Sequence, residues 1–296
     1  MPDFDINNEP TVFVLGAGAS KPYGLPLSPD LKQMILAAKD KTLLDCLKSK
    51  GHEDITISRF KEALRYGDYG TIDLFLEAKS TYREIGAFFI ASAIASAENK
   101  KTLFGAKNWY TALYRIFGLD CAGTGMPPAA IVTLNYDRSL EEFLSSYLEY
   151  NCPDRIIETS RAKRASIQIV HAHGSLGDHS TVAYGTAGKT ADSLNAAAQS
   201  IKIVSDSMEA APEFETAERL IGSAQNVVFI GFGYNRVTLE RLLKRVNKEK
   251  TRFFGTAFQL PDDAATDLRL FLGDRLQLAE KNADALGFLK WIGLTK

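Results

Sequence analysis

The residues best suited to chemistry lie in four short polar or glycine-rich segments, and each segment directly follows an apolar run of strand type. These segments are residues 16–20, 135–137, 171–175 and 231–235. In an open parallel sheet the ligand crevice lies beyond the carboxyl ends of the strands. We therefore expect the four segments to meet in one pocket, although each alone is also what an ordinary turn after a strand would contain.

The first segment, Gly16-Ala-Gly18, predicts a phosphate-binding turn, because glycine lets the backbone approach an anion and leaves its amides exposed. It does not continue as a dehydrogenase fingerprint. Lys21 occupies the third glycine position of that motif, and Asp40, the acidic residue about 20 positions further on, is predicted to follow a helix rather than a strand. The sequence therefore favours a dinucleotide ligand but not a hydride-transferring cofactor.

Two histidines, His171 and His173, are two residues apart and would face the same side of an extended strand, as metal ligands can. A metal site would need a third ligand, either His179 or a distant carboxylate, and we predict no metal. His171 is interpreted as a structural residue. His173 precedes Gly174 at a strand end and is predicted to be a general base, because an unperturbed imidazole titrates near neutral pH.

Residues 183–190, Ala-Tyr-Gly-Thr-Ala-Gly-Lys-Thr, resemble a P-loop with alanine in the leading position. The strand before them is weak, and no later apolar strand ends in the aspartate that would help to hold magnesium. A nucleotide-phosphate site at this segment is kept as an alternative. No nucleophilic triad is predicted, because the chain lacks a Gly-x-Ser-x-Gly elbow and its cysteines, Cys46, Cys121 and Cys152, are isolated.

Buried strands alternate with helices along most of the chain, which predicts a Rossmann-like α/β fold with a parallel sheet and helices on both faces. Between the first two strands the apolar residues recur at helical spacing, which predicts an all-helical insertion over 29–120, with 1–28 and 121–296 forming the catalytic domain. Ser28, before Pro29, is predicted to be the N-cap of its first helix. The predicted strands cover 11–15, 130–134, 166–170, 226–230 and 252–257, and the later helices cover 213–223, 238–247, 264–271 and 283–293.

The composition is that of an ordinary soluble protein, with 296 residues, 45% of them hydrophobic, and a formal charge of −1 from 35 basic and 36 acidic side chains. This balance argues against a surface that tracks a phosphate backbone, so direct nucleic-acid binding is not indicated. Three separated cysteines exclude a disulfide framework. The N-terminus lacks a secretory signal, and the uncharged run 85–97 predicts a buried helix too short to span a bilayer. We predict a cytoplasmic protein without direct membrane contact.

Four motifs, taken in order, resemble those of the sirtuin fold. More closely, the chain is similar to the sirtuin-like NAD-cleaving proteins of bacterial antiphage defence. The resemblance extends from residue 12 to about residue 258 and implies a Rossmann-type domain that binds NAD in an extended pose. The motifs are Gly16-Ala-Gly-Ala-Ser20 with Gly24-Leu-Pro26, Thr133-Leu-Asn-Tyr-Asp137, His173-Gly174 and Gly231-Phe-Gly-Tyr-Asn235.

The resemblance implies a role for each matching residue. Asn135 would position the nicotinamide ribose and the attacking water, Asp137 would contact the carboxamide, and His173 would act as the base on a ribose hydroxyl. Tyr136 takes the place of isoleucine in the Asn-Ile-Asp triplet of the family. The remaining NAD contacts would come from Gly16, Ala17, Gly18, Ser20, Pro26, Gly174, Gly231, Gly233 and Asn235.

Two departures from the protein-deacylating sirtuins bear on the activity. Those enzymes carry four zinc-binding cysteines in an inserted module and an Asp-Phe-Arg sequence after the first loop. This chain has three cysteines without suitable spacing, and residues 25–28 continue as Leu-Pro-Leu-Ser. Both losses put peptide deacylation in doubt. In their place stands a helical block similar to the insertions of the defence proteins.

The resemblance implies an NAD hydrolase (NADase) that takes NAD as its substrate, releases nicotinamide and ADP-ribose, and needs no metal. Because an unregulated NADase would exhaust its own cell, we expect gating by assembly into a homo-oligomer or by a partner in antiphage defence. Relatives of this size are associated with a HerA-type hexameric ATPase or a short Argonaute. The basic stretch 236–252 is a candidate contact, or else a solvated helix face. An NAD-dependent deacylase and a non-catalytic module that senses NAD or ADP-ribose remain alternatives.

Overall fold

A six-stranded parallel sheet lies at the centre of the protein. The computed structural model describes residues 4–105, 109–120, 125–179, 182–203 and 211–295. The strands are β1 (Thr11–Leu15), β2 (Ala129–Thr133), β3 (Ile169–His171), β4 (Asn226–Ile230), β5 (Arg252–Gly255) and β6 (Leu276–Leu278). Each strand pairs in parallel with its neighbours in the order β3-β2-β1-β4-β5-β6. This is the strand order of doubly wound dinucleotide-binding folds.

Helices fill the described part of the long connection between β1 and β2. The longest of them is the apolar helix over residues 83–97, in which ten residues are buried. The helices of this connection are α1 (Ala17–Ser20), α2 (Ser28–Ala37), α3 (Lys41–Ser49), α4 (Asp54–Tyr66), α5 (Ile72–Ala78), α6 (Arg83–Ala97), α7 (Lys100–Gly105) and α8 (Tyr110–Ile116). We refer to α2 through α8 as the helical block.

Helices also connect the later strands, as expected for crossovers between parallel strands. Their helices are α9 (Ser139–Asn151), α10 (Ile157–Ser166), α11 (Ala191–Ser200), α12 (Pro212–Ser223), α13 (Arg236–Leu242), α14 (Asp262–Leu272) and α15 (Ala285–Trp291). No helix in the described ranges is long and apolar enough to cross a membrane.

The sheet is covered on both faces, and the side chains of β1 show how. Phe13 and Leu15 belong to the larger hydrophobic core, which also contains the apolar side chains of the helical block. Val12 and Val14 point to the opposite face, where they pack with α12, α13 and α14. Every residue of β1 is buried, as expected for a central strand between two helical layers. The helical block therefore lies on one face of the sheet and reaches its carboxyl edge.

The predicted Rossmann-like parallel sheet and the run of helices after the first strand are confirmed. The boundaries of the catalytic domain and of the insertion stay a prediction. The buried helix predicted for residues 85–97 is present as α6. The fold adds elements outside the predicted strands and helices, namely the edge strand β6 and, among the later helices, α9, α10 and α11.

Three local predictions were wrong. The strand predicted at 166–170 is shorter and shifted, because Ser166 is the last residue of α10. The helix predicted at 238–247 is α13, which begins at Arg236 and ends at Leu242. Ser28 is the first residue of α2 rather than its N-cap, and the amide of Leu27 instead donates to Asp30 Oδ2 at 3.1 Å.

Candidate active site

A cavity of about 910 Å³ opens at the carboxyl edge of the sheet. The loops after β1 to β5 contribute to its wall, together with α5, α12 and α13. Its volume lies within the range of roughly 300 to 1,000 Å³ that small-molecule and cofactor sites occupy. The predicted convergence of strand ends is therefore present in the fold. The predicted site residues that line this cavity are Gly16, Ala17, Gly18, Asn135, His173, Gly231, Gly233 and Asn235.

Four other predicted site residues, Ser20, Pro26, Asp137 and Gly174, do not line the cavity. Ser20 is only 3% exposed. Asp137 is 6% exposed and accepts hydrogen bonds from the backbone N–H and the hydroxyl of Ser139. Burial raises the pKa of Asp137, and the Ser139 hydrogen bonds act in the opposite direction. A contact between Asp137 and a ligand in the cavity stays a prediction.

Glycine backbone forms the sheet side of the cavity. The amide of Gly18 donates to the Gly231 carbonyl at 2.9 Å, so the loops after β1 and β4 touch backbone to backbone. Gly231 has a φ of +59°, and a Cβ at this position would lie 2.0 Å from the backbone nitrogen of Ala19. Only glycine fits such a contact. The amide of Gly231 is held in turn by the hydroxyl of Thr256 at 2.9 Å.

Asn135 is anchored so that its amide oxygen is left for a ligand. Its Nδ2 donates to the Gly16 carbonyl at 2.9 Å and to the Ser20 hydroxyl at 3.0 Å, which uses both amide protons. Within the described ranges Oδ1 accepts no hydrogen bond. Asn135 therefore presents an acceptor to the cavity from a side chain fixed by the loop after β1, and Ser20 acts as its support.

Both ring nitrogens of His171 have hydrogen-bond partners within the protein. Its Nδ1 lies 2.8 Å from the Asn135 carbonyl oxygen, and its Nε2 lies 2.6 Å from Glu141 Oε1. Burial opposes the charged ring, but the Glu141 carboxylate outweighs it and raises the pKa of His171. These contacts agree with the interpretation of His171 as structural, because the ring holds the backbone of Asn135 in place.

His173 lines the cavity and has a different set of neighbours. Its Nδ1 lies 3.4 Å from Oδ1 of Asp73, a residue of α5. The ring lies parallel to Phe214 at an angle of 7° and a centroid distance of 6.2 Å, with the ring of Tyr136 at 6.1 Å. The chain leaves the strand after His171, and the Gly174 amide donates to the His171 carbonyl at 3.0 Å to close a turn. Residues 171–173 therefore do not form the extended strand that was predicted to place both histidines on one side, and the two rings contact different carboxylates.

The backbone of His173 is held by the chain that follows α11. The amide of Lys202 donates to the His173 carbonyl at 2.8 Å, and Gly174 forms an isolated antiparallel bridge with Ile201. A Cβ on Gly174 would lie 2.0 Å from the Ser200 carbonyl oxygen. Gly174 therefore acts behind the cavity wall, where it allows the close approach that fixes the position of His173.

The histidines that could have formed a metal site pair with three separate carboxylates. His171 contacts Glu141, His173 contacts Asp73, and Nδ1 of His179 lies 3.3 Å from Glu142 Oε2. In the part of the chain that the structure describes, no group of three or more His, Cys, Asp or Glu side chains is arranged to hold a metal ion.

The P-loop-like segment 183–190 does not form a P-loop. The nearest described strand before it, β3, ends at His171, and the segment forms turns that lead into α11. Its backbone instead surrounds the buried ion pair between Glu98 and Arg138, whose Nη2 and Oε2 atoms are 2.7 Å apart. The amide of Gly185 donates to the same Glu98 oxygen at 3.0 Å. The turn is therefore directed at an internal carboxylate rather than at a phosphate.

The sequence did not indicate the side chains that α5 brings to the cavity. Asp73 and Glu77 both line it, and Glu77 forms a two-pronged ion pair with Arg241 of α13 at 2.7 and 2.9 Å. Their spacing of four residues places them on one helix face. The sequence of the helical block does not indicate that this face of α5 lines a site, because its contacts depend on how the block packs on the sheet.

The profile of the SIR2-like domain matches residues 129–279, just over half of the chain. The chain therefore belongs to the SIR2-like domain family, and this membership implies a sirtuin-type, NAD-utilising function. Among solved structures, one described as the crystal structure of a SIR2 homolog–NAD complex is similar over 98% of this chain and 93% of that one, with 12% sequence identity and a TM-score of 0.46. No curated protein sequence matches the chain.

Proposed function

We propose that the cavity binds NAD and hydrolyses its nicotinamide–ribose bond to give nicotinamide and ADP-ribose. The observation that carries this proposal is that Asn135 and His173 line the same cavity as the backbone of Gly16, Gly18 and Gly231. The amide oxygen of Asn135, the imidazole of His173 and the glycine backbone thus line one cavity. Together they could hold a dinucleotide and assist its cleavage.

Cleavage of the nicotinamide–ribose bond develops positive charge on the sugar as the neutral nicotinamide leaves. The protein must then hold the ribose, orient one water and accept a proton. In this proposal Oδ1 of Asn135 accepts a hydrogen bond from the attacking water or the ribose. His173 takes a proton from a ribose hydroxyl, and that hydroxyl regains a proton from the attacking water, so the ring carries the one proton that the hydrolysis releases. The glycine backbone receives the pyrophosphate, whose charge suits its exposed amides.

Gating by assembly or by a partner belongs to the same proposal, since free NAD cleavage would deplete the cell. The basic stretch 236–252 does not strengthen the idea of a partner, because five of its basic side chains have partners within the chain. Arg241 pairs with Glu77 and Arg245 with Glu218. The other internal contacts are those of Arg236 and Lys248 with the Phe271 ring and of Arg252 with Glu9. Only residues 236–242 of this stretch are helical, as α13, and most of its basic side chains are engaged within the chain.

A single time course separates the proposal from its two alternatives. The full chain, purified in the assembled form it takes in cells, is incubated with NAD, with and without an acylated peptide, and nicotinamide, ADP-ribose and NAD are followed by mass spectrometry. The proposal predicts equal release of nicotinamide and ADP-ribose without peptide. Release that requires the peptide would indicate a deacylase. Tight binding of NAD that stays uncleaved over hours would indicate a sensing module.

A further inference from the structure

Helix α5 supplies the helical block's two acidic contacts to the cavity wall. Asp73 reaches the loop after β3 at His173, and Glu77 reaches α13 at Arg241. Both side chains are partly shielded from solvent, with 26% of Asp73 and 19% of Glu77 exposed. The Thr71 hydroxyl caps the helix by accepting from the Leu74 amide at 3.2 Å. A capped helix with two anchors holds the Asp73 carboxylate at a fixed place.

The neighbours of His173 fix its ring as well as its position. Phe214 lies parallel to the ring on the α12 side, and the Tyr136 ring is also close. The Tyr136 hydroxyl donates to Oδ1 of Asp73, the same oxygen that faces Nδ1 of His173. Only 12% of the His173 side chain is exposed. The ring therefore has little freedom to turn its other edge toward the carboxylate.

The Asp73 carboxylate favours one protonation form of the His173 ring. An ionised carboxylate only accepts hydrogen bonds, so it favours a proton on Nδ1, the nitrogen that lies 3.4 Å from it. In that neutral form Nε2 keeps its lone pair. Nε2 has no hydrogen-bond partner within the described ranges, and His173 lines the cavity. The only basic nitrogen of the neutral ring is thus the one left for a ligand.

We propose that Asp73 is a positioning residue, which holds His173 in the Nδ1–H form so that Nε2 can act as the base. The inference rests on the proposed function for the role of the base. The contact between Asp73 and His173 does not depend on whether His173 is a base. The inference also gives the helical block a direct part in the site, because the Asp73 carboxylate comes from this block.

The state of the ring can be measured directly by NMR. Histidine is labelled with ¹⁵N in the full chain, and a long-range proton–nitrogen spectrum is recorded at about pH 8.5, well above the pKa of an unperturbed imidazole. The chain has four histidines, and the signals lost in His173→Gln identify the ring of interest. We expect the Nδ1–H form in the wild type. A wild-type ring protonated at Nε2 would overturn the inference.

Variants then show whether Asp73 is the cause. Asp73→Leu removes the acceptor at similar size and is expected to move the ring to the Nε2–H form, which imidazole favours when no acceptor faces Nδ1. Asp73→Ala serves if the leucine variant does not fold. Tyr136→Phe keeps the carboxylate, and Glu77→Gln disturbs only the second anchor of α5, so both should keep the Nδ1–H form. An Asp73 variant that keeps the Nδ1–H form would refute the role.

Kinetics of the assembled protein give the second readout. Asp73→Asn is expected to lower kcat for nicotinamide release by about 10- to 100-fold with little change in KM, and Asp73→Glu to restore part of it. A structural role alone would lower the stability and leave kcat of the folded protein unchanged. If the wild type shows the Nδ1–H form but cleaves no NAD, the proposed function fails and the placement of the proton by Asp73 stands.

Discussion

The two walls of the cavity are built in different ways. On the sheet side, the loops after β1 and β4 meet through backbone, with Gly18 donating to the Gly231 carbonyl. On the opposite side, α5 reaches the strand-end loops and α13 through side chains, with Asp73 contacting His173 and Tyr136, and Glu77 pairing with Arg241. We call the contact of the loops after β1 and β4 the backbone wall, and the contacts of Asp73 and Glu77 the side-chain wall. The geometry of the backbone wall is fixed by the close approach of two main chains, whereas that of the side-chain wall depends on how the helical block packs on the sheet. In the proposed function, the backbone wall would hold the pyrophosphate and the side-chain wall would position His173.

The largest effect on stability is expected when a side chain is added to the backbone wall at Gly231. Gly231→Ala places a Cβ 2.0 Å from the backbone nitrogen of Ala19 in a residue with a φ of +59°. Steric overlap and backbone strain together should lower the free energy of unfolding by at least about 3 kcal/mol. Urea unfolding monitored by circular dichroism measures this change.

The matched control for this variant is Gly233→Ala in the same loop. Apart from its chain neighbours, no atom of the described residues lies within 4 Å of a Cβ at Gly233, so the free energy of unfolding of this variant should change by less than about 1 kcal/mol. Equal losses in the two variants would show that the close contact of the loops does not govern the stability of this wall.

A smaller effect is expected on the side-chain wall, at the Glu77–Arg241 pair. Both side chains are about one-fifth exposed and their two-pronged contact is well aligned. Glu77→Gln and Arg241→Gln should each lower the free energy of unfolding by about 1 kcal/mol. A double-mutant cycle should give a coupling energy of similar size. Additive losses would mean that the pair does not hold α5 to α13.

The smallest effect is expected from pH, through the pair behind Asn135. Because Glu141 raises the pKa of His171 in the fold, the charged ring stabilises the protein below the unfolded value of about 6.5, and this contribution is lost as the pH rises through the folded value. The free energy of unfolding should therefore fall between pH 6 and pH 9, as measured by urea titrations. The fall should shrink in Glu141→Gln, and an identical fall in that variant would exclude His171 as its source.

Much of the backbone wall could be predicted from the sequence, because its signals are local. Buried β-branched runs ending at Gly16 or Gly231 mark strands and turns within a few residues. The side-chain wall has no such signal. The prediction for His173 came from its residue type and its position at a strand end, but its neighbour Asp73 is separated from it by a hundred residues of chain and by the packing of the helical block.

The errors have the same origin. The short strand β3 was misplaced because the predicted strand begins at Ser166, which is the last residue of α10. The P-loop-like segment 183–190 has the right residue types, but no described strand leads directly into it. Residue types alone do not distinguish a turn around a phosphate from a turn around Glu98. Tertiary contacts determine which of the two turns forms. The arrangement of the strand ends was predictable because a parallel sheet brings the carboxyl ends of its strands to one edge.

The most direct test of the central claim is the rate of nicotinamide release from NAD by the assembled wild-type protein, measured beside Asn135→Ala and His173→Ala. The wild type should convert NAD to nicotinamide and ADP-ribose without any peptide, and each variant should be slower by about 100-fold or more while remaining folded. An assembled wild-type protein that leaves NAD intact, or variants that keep most of the activity, would contradict the account.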